Sequence, residues 1–532
     1  MKRLVLIGLA LLMLLSASCG SADPVESLAQ TEAETEAATD DSAEQDNDPA
    51  ANDATLSLLK VDGISVFGFS PEKTSYSVSA KKVDKMTIGA VATQEGATVK
   101  IEQSGSVATV TVTSPNGRKE KVYTLQAYER VSSKIVNKNG ANAIVTYVID
   151  DGDKDTATFV TEEMSPKYSS LNASFALVTK NLGTFKTQAG ADGMLEYVKD
   201  SQGYYLYSKN SSEFNFWKTL LAEYADEGFE AVSHSHTHKY WGETDEGGSF
   251  EYKLNGGVTM TSEEFPRGNV SMEFWGSKQI IEDLGQRSLV FVRPGLNVSG
   301  KMVSYSKDFW TKMQDSGAYI GARGTYTYPD KPETMINTFS SFSNEDDRYF
   351  LKSYMVQHYN TSATTATAKG TSTPKECLDA GIDYWTTYID TAVENNAWAA
   401  FCIHTIRPDN YVGSSHYIFE SQADALFAYT EQLAKENKVW VANLTDAYLY
   451  VIERATSTVE AYVDENGDLS VALSCSETDD IYNMPLTVKV CLPEGKTGAA
   501  LDGQELTTVT ENGDVYVYVD VAPGSRVTLK TK

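Results

Sequence analysis

The stretch Ala143-Ile144-Val145-Thr146-Tyr147-Val148-Ile149-Asp150-Asp151-Gly152 is a seven-residue run, apolar but for Thr146, that ends abruptly on two carboxylates and a glycine. Read as a strand, it delivers Asp150 and Asp151 to its C-terminal end. The same construction recurs downstream. Phe229 to Val232 leads into Ser233-His234-Ser235-His236-Thr237-His238, Ser288 to Val292 leads into Arg293-Pro294-Gly295, and Ala397 to Ile403 leads into His404. Further strand candidates are Asn172–Val178, Ala318–Ala322 and Val439–Asn443. Helical stretches fall between them, at 213–227, 277–285, 382–395 and 421–436. Strand alternating with helix over some 310 residues predicts parallel strands, and one unit of that size predicts a (β/α) barrel of seven strands. In such a barrel the residues just after the strands gather at one rim. Carboxylates, histidines and an arginine would therefore meet there although they are far apart in sequence.

Outward from this unit the pattern changes from strand-helix to period two. Tyr76, Val78 and Ala80, then Val99 and Ile101, then Val110 and Val112 alternate with polar residues between Gly, Pro and Asn-Gly punctuation. Residues 55–128 are thus expected to form a small β-sandwich, and a polar linker spans 129–142. From 455 to 532 alternation returns, at Val459, Ala461 and Val463, then Leu469, Val471 and Leu473, then Leu486, Val488 and Val490. The expected class is multidomain, with a central α/β distorted (β/α)7 TIM-like barrel (141–454) flanked by two small all-β sandwich domains. The chain of 532 residues is long enough for about three domains.

The N-terminus carries a different signal. Lys2-Arg3 precede an apolar run from Leu4 to Leu15, and Ser16-Ala17-Ser18 then precede Cys19. This resembles a bacterial lipoprotein signal (1–18), with cleavage before Cys19 and lipid on its sulfur; Ser16 stands where such signals usually carry Leu. Residues 19–54 read as an acidic disordered tether, with no Lys or Arg from Asp23 to Ala54. The expected location is exported, anchored to the membrane through Cys19 and facing outward. A net charge of −28 argues against nucleic acid and against anionic membrane surfaces as partners. The remaining cysteines are Cys377, Cys402, Cys475 and Cys491. Cys475 shares the parity of Val471 and Leu473, whereas Cys491 is out of phase with Leu486, Val488 and Val490, so a Cys475–Cys491 disulfide is open but not favoured.

Three histidines within five residues, of six in the chain, mark 234–238 as the place to look for a metal or an acid/base group. Taken together, Asp150-Asp151-Gly152, His234-Ser235-x-x-His238, Arg293-Pro294 and Ile403-His404 resemble the successive motifs of the polysaccharide deacetylases (the NodB-homology fold, carbohydrate esterase family 4). The likeness covers residues 141 to 454 and keeps the family's order. It implies that Asp151, His234 and His238 hold one divalent metal, zinc by the donor set, with cobalt or another divalent ion as an alternative. It implies that Asp150 is the general base that takes a proton from the water activated there, that His404 protonates the departing amine, and that Arg293 orients Asp150. The substrate implied is an acetylated polysaccharide, an N-acetylglucosamine polymer of peptidoglycan or chitin type.

The chain departs from the family in two ways. The third motif is shortened to Arg-Pro-Gly, and the fourth, Asp-x-x-Asp-Trp in the family, is not found between Arg293 and His404. In the family that acid partners the histidine, and Asp330, Asp390 and Asp446 are the substitutes considered. His236 is expected to point away from the metal, and His358 and His416 to be structural or cleft-lining. Tyr240, Trp241, Tyr326, Tyr328 and Trp385 are candidates for stacking on sugar rings or for ordinary packing. The segment 55–128, with Gly68-Phe69-Ser70-Pro71 and Asn116-Gly117, resembles the cadherin-like modules of bacterial surface proteins. Two other functional readings stay open: an O-acetyl esterase on a glycan such as acetylated xylan, and a non-catalytic glycan-binding surface lipoprotein.

Overall fold

The computed structural model describes residues 52–191, 195–238, 252–253, 259–260, 271–298, 301–302, 313–326, 332–343, 346–356, 374–411 and 417–532. The signal and most of the acidic tether lie outside these residues, as do Asp330, His358, His416, Tyr240, Trp241 and Tyr328. No described helix is long and apolar enough to cross a membrane.

The centre of the molecule is a curled, mainly parallel sheet. Seven of its ten strands among the described residues pair in sequence: β1 (Ala143–Ile149), β2 (Ser174–Leu177), β3 (Glu230–Ser233), β4 (Val290–Val298), β5 (Gly321–Tyr326), β6 (Tyr354–Met355) and β7 (Ala397–Ile403). Each pairs in parallel with the next, and β7 pairs in parallel with β1 from Trp398↔Ile144 to Ile403↔Ile149. An eighth strand, β8 (Val439–Val441), runs beside the first half of β1, while β2 takes the last residues of the same edge. The seven strands in this order are not the seven expected from sequence. Tyr354–Met355 is in the order, and Val439–Val441 lies outside it.

Helices follow several of the strands. They are α1 (Lys154–Thr158), α2 (Ser211–Glu223), α3 (Ser277–Asp283), α4 (Pro374–Glu394), α5 (Glu420–Lys435) and α6 (Leu444–Thr456). Period-two alternation divides the sheet residues between two cores. Val145, Tyr147, Ile149, Phe175, Phe401 and Ile403 face outward and pack with Trp217 of α2, Trp385 and Tyr388 of α4, and Leu426 of α5. Ile144, Val148, Ala176, Val232, Val292, Trp398 and Ala400 face inward and pack with Leu444, Ala447, Tyr448 and Val451 of α6. The inner face is therefore filled with side chains, and α6 is pinned to β5 by a 2.8 Å hydrogen bond from the Tyr448 hydroxyl to the Ala322 carbonyl.

The flanking segments are β-structure. Leu56–Val61, Ile64–Ser65 and Ile88–Ala92 form one sheet, and Ser75–Ala80, Thr98–Ser104, Val107–Thr113 and Glu120–Glu129 form another. Leu59 and Val61 of the first share one apolar core with Val78, Val110 and Leu125 of the second. At the C-terminal end, five- and four-stranded sheets share a core of Val471, Leu473, Val488, Val519 and Leu529. The stretch 129–142, expected as a linker, contributes a strand of its own. Ser133–Ile135 pairs with Leu486–Cys491 as the edge of the last sheet. Glu460 of that last region accepts a hydrogen bond from the Ser79 backbone N–H at 2.7 Å, and Tyr462 stacks on Tyr128 with ring centroids 5.0 Å apart. Cys402, Cys475 and Cys491 are free thiols.

Candidate metal centre and its carboxylate

The register brings the sequence-predicted residues to one end of the sheet. Ile149 is level with Ile403, and the Asp150 N–H donates to the Ile403 carbonyl at 2.7 Å, so Asp150 and His404 leave their strands side by side. Leu177 is level with Ser233 and Ser233 with Phe291, which sets His234 beside Val292. Asp150 continues the inward parity of Ile144 and Val148, and its side chain is buried. Asp151 turns back with φ +71°, which carries its carboxylate to the rim, half-exposed.

Oδ1 of Asp151 lies 3.1 Å from Nε2 of His238 and 3.5 Å from Nε2 of His234. The ligand atoms of Asp151, His234 and His238 all lie within 4.8 Å of one another. Nδ1 of His234 is 2.9 Å from the Val292 carbonyl, so that nitrogen carries the proton and Nε2 is left as a lone-pair donor. One carboxylate and two imidazoles, one of them fixed in tautomer by a backbone carbonyl, suit a divalent ion with positions left open. Ser235 and His238, like Asp151, hold positive φ (+62° and +55°) without being glycine. Backbone of this kind costs about 1–2 kcal/mol per residue and persists where surrounding contacts over-determine it.

Those contacts come from Glu273, which the sequence reading did not single out. Its buried Oε2 accepts from the His236 and Thr237 N–H groups, both at 2.9 Å, and its Oε1 accepts from the Thr237 hydroxyl at 2.6 Å. The Ser235 hydroxyl accepts from the His238 N–H at 3.0 Å, and the Ser233 and Ser277 hydroxyls pair at 2.6 Å. His236, between the two ligands, points elsewhere. Its Nδ1 is 2.9 Å from the Thr179 hydroxyl and its ring packs 4.6 Å from Phe185, where burial pushes its pKa down to about 3.

Asp150 is held by a group not expected from sequence. Arg323 on β5, fully buried, donates from Nη2 to Oδ1 of Asp150, and its Nη1 donates to the Ser353 hydroxyl at 3.2 Å. Arg293, the partner that the resemblance implies for Asp150, is also buried. Parity explains why Arg323 reaches the carboxylate: Arg323 is level with Val292, whose side chain faces inward. The signal was present in Gly321-Ala322-Arg323, a charged residue inside a short strand of small ones. Burial alone would raise the Asp150 pKa, but Arg323 and His234 outweigh it and hold the carboxyl below its ordinary value. Burial likewise raises Asp151, and the two imidazoles overcome it and hold Asp151 far below the ordinary range. Burial lowers the His234 pKa, and Asp150 and Asp151 more than reverse this.

His404 is partly exposed, and Nδ1 of its ring lies 4.0 Å from Sγ of Cys402. Of the acids considered for its partner, Asp390 accepts from the Tyr429 hydroxyl at 2.5 Å on α4, and Asp446 pairs with Arg287 at 2.5 Å near the start of α6. Asp153 and Arg407, also missed from sequence, tie the segment after His404 to α1. Nη2 of Arg407 donates to Oδ2 of Asp153 at 2.8 Å and Nη1 to Oδ1 at 3.1 Å. Trp385, a stacking candidate, is fully buried in the outer core.

No family model matches the chain. No curated protein matches it either. Among solved structures, a cyclomaltodextrinase aligns over 90% of this chain and 95% of its own at 9% identity and TM-score 0.28. A family 123 glycoside hydrolase from Clostridium perfringens aligns over 81% and 87% at 10% identity and TM-score 0.24. A GH5 endo-beta-1,4-glucanase from Bacillus licheniformis aligns over 73% and 77% at 8% identity and TM-score 0.26. Likeness at this level carries no argument about fold or activity.

Proposed function

We propose that the protein is a metal-dependent hydrolase that removes acetyl groups from an acetylated polysaccharide, most directly N-acetyl groups of an N-acetylglucosamine polymer of peptidoglycan or chitin type. The observation that carries this reading is the meeting of Asp151, His234 and His238 within 4.8 Å, directly beside the buried Asp150 and with His404 on the adjoining strand end. Within this reading the curled sheet is a distorted (β/α)7 barrel and the flanking sheets are sandwich modules, the first cadherin-like. The protein is exported and anchored through lipid on Cys19. The metal is zinc, with cobalt as the alternative.

A divalent ion bound by Asp151, His234 and His238 would lower the pKa of a water and polarise an acyl oxygen. The chain's own residues supply the rest. Asp150, kept ionised by Arg323, accepts a proton from the attacking water; its Oδ2 lies 3.7 Å from Nε2 of His234. His404, from the strand beside it, gives a proton to the departing nitrogen. Such acid and base groups are each typically worth about 10²–10⁴-fold in rate. Asp150 must be dry on one side and reachable on the other, and its burial with Arg323 behind it meets the first need.

The test is metal analysis of the purified protein together with an acetate-release screen on chitin oligomers, peptidoglycan and acetylated xylan. About one divalent ion per chain and acetate from an amide substrate are expected, both abolished by chelator, with release also lost in Asp150→Asn. Release from xylan alone would reassign the substrate to an O-acetyl ester. No release from any of them by metal-loaded protein would sink the proposal.

A further inference from the structure

Cys402 lies on the inner face of β7, two residues before His404, and is fully buried. Its Sγ donates to Oδ2 of Asp150 at 3.2 Å. The other oxygen of Asp150 accepts from Arg323, whose guanidinium also reaches the thiol. Asp150, Cys402 and His404 have the residue types of a metal site, with ligand atoms within 4.8 Å of one another. The guanidinium argues against a second ion there, because it already sets a fixed positive charge against Asp150. Burial and the Asp150 charge also raise the thiol's pKa well above its ordinary value, so the sulfur keeps its proton and remains a donor rather than a thiolate ligand.

We propose that Cys402 is a positioning residue for Asp150: its S–H bonds to Oδ2 while Arg323 bonds to Oδ1, so that the carboxylate has one orientation, with Oδ2 turned toward His234. A carboxylate at the end of a strand otherwise rotates about its last torsion, which is broad and two-fold. The two donors come from β7 and β5, which β6 separates, and each holds a different oxygen. A thiol is a weak donor, so it orients the oxygen without competing strongly for the lone pair that takes the proton. The proposal rests on Asp150 being the proton acceptor of the reaction above.

Two measurements test it on the full-length, metal-loaded protein. In the kinetic one, Cys402→Ala is expected to lower kcat about 10-fold, well short of loss of the base itself. KM and bound metal per chain should stay unchanged. Cys402→Ser, which restores an O–H donor, is expected to recover to within about 3-fold of the unmodified enzyme. If Cys402 merely filled the core, Ala would do as well as Ser or better, since a hydroxyl is the costlier group to bury; that ranking would overturn the proposal. The second measurement needs no turnover. The S–H stretching band, isolated as the infrared difference between the native protein and Cys402→Ser, should shift to a weaker hydrogen bond in an Asp150→Asn background. An unshifted band would overturn the proposal. A shifted band in a protein that releases no acetate would uphold the hydrogen bond and count against the proposed reaction alone.

Discussion

Glu273 offers the sharpest separation between building the site and performing its chemistry. Its carboxylate touches no candidate ligand, yet it accepts both N–H groups of the turn between His234 and His238, together with the Thr237 hydroxyl. Glu273→Ala would orphan the buried His236 N–H and the half-buried Thr237 N–H. An unsatisfied buried donor costs about 1–3 kcal/mol, so the pair should cost roughly 2–4 kcal/mol of stability. The turn would also lose what holds Ser235 and His238 at positive φ, and loss of such outer support typically weakens metal binding about 10–100-fold. Glu273→Gln separates these effects. Its carbonyl oxygen keeps both backbone bonds at the Oε2 position. Its amide sits where Oε1 was, and the Thr237 hydroxyl can turn and accept from it. Gln is therefore expected within about 1 kcal/mol of the native protein and close to its metal affinity. Urea denaturation of the metal-free proteins reads the first quantity, and titration with zinc or cobalt reads the second. If Ala and Gln behaved alike, or if Ala bound metal as tightly as the native chain, Glu273 would not be holding the histidine turn and this reasoning would be refuted.

Asp151→Asn should drop bound metal far below one per chain, whereas His236→Leu should leave it unchanged while costing about 1–3 kcal/mol for the Thr179 hydroxyl it orphans; equilibrium dialysis and melting curves check the pair. Glu453, fully buried on α6, has its pKa raised to about 7 by burial. The folded state thus holds this proton up to about pH 7, where the unfolded chain has released it near its ordinary value of 4.5. The contribution is fully present below pH 4.5 and is lost as pH rises to about 7, by roughly 2 kcal/mol after allowance for screening. Glu453→Gln should remove that part of the slope between pH 5 and pH 8 in denaturant midpoints; an unchanged slope would show that Glu453 is not its source. Arg407→Met breaks the two-pronged contact with Asp153, which is partly exposed, and should cost about 1 kcal/mol while lowering acetate release through the segment after His404; wild-type turnover in this variant would separate that segment from the reaction.

Much of the central unit was legible because strands write a local pattern. Ala143–Ile149 and Ala397–Ile403 are long apolar runs with a polar residue at the end, and both strands have the boundaries read from sequence. Tyr354–Met355 was not legible, since two residues carry no period, and only the parallel partners on each side make it a strand. Val439–Val441 reads like the others because its residues obey the same local rule, but its place as an extra strand on the edge of β1 that β2 shares depends on what else competes for that edge. Ser133–Ile135 is polar and short, and it becomes a strand by pairing with a segment some 350 residues away. Arg323 and Cys402 were missed for one shared reason. Each acts through a partner at long range in sequence, set by inter-strand register, and a single sequence states parity along a strand but not the level at which two strands meet. Glu273 lies on the helical turn Met272–Gly276 and was missed because only tertiary packing brings it to the His236–Thr237 loop.

Parity also explains how two adjacent aspartates come to differ. Along β1 the even residues Ile144 and Val148 face inward and the odd residues Val145, Tyr147 and Ile149 face the helices. Asp150, the next even position, is carried into the closed interior, where a carboxylate is tolerated because Arg323 meets it. Asp151 would by the same rule point at the outer helices, a costly place for a charge. Its left-handed backbone breaks the alternation and brings the carboxylate over the rim to His234 and His238. Gly152 continues the left-handed turn at φ +74°, so the reversal is complete within two residues. One carboxylate is thus buried, clamped on both oxygens and paired with a guanidinium; the other is half-exposed and shared between two imidazoles. In the proposed reaction, environments that differ this much between neighbouring acids are what would let one serve as a base and the other as a ligand. The difference arises from where a strand ends and how its first turn bends.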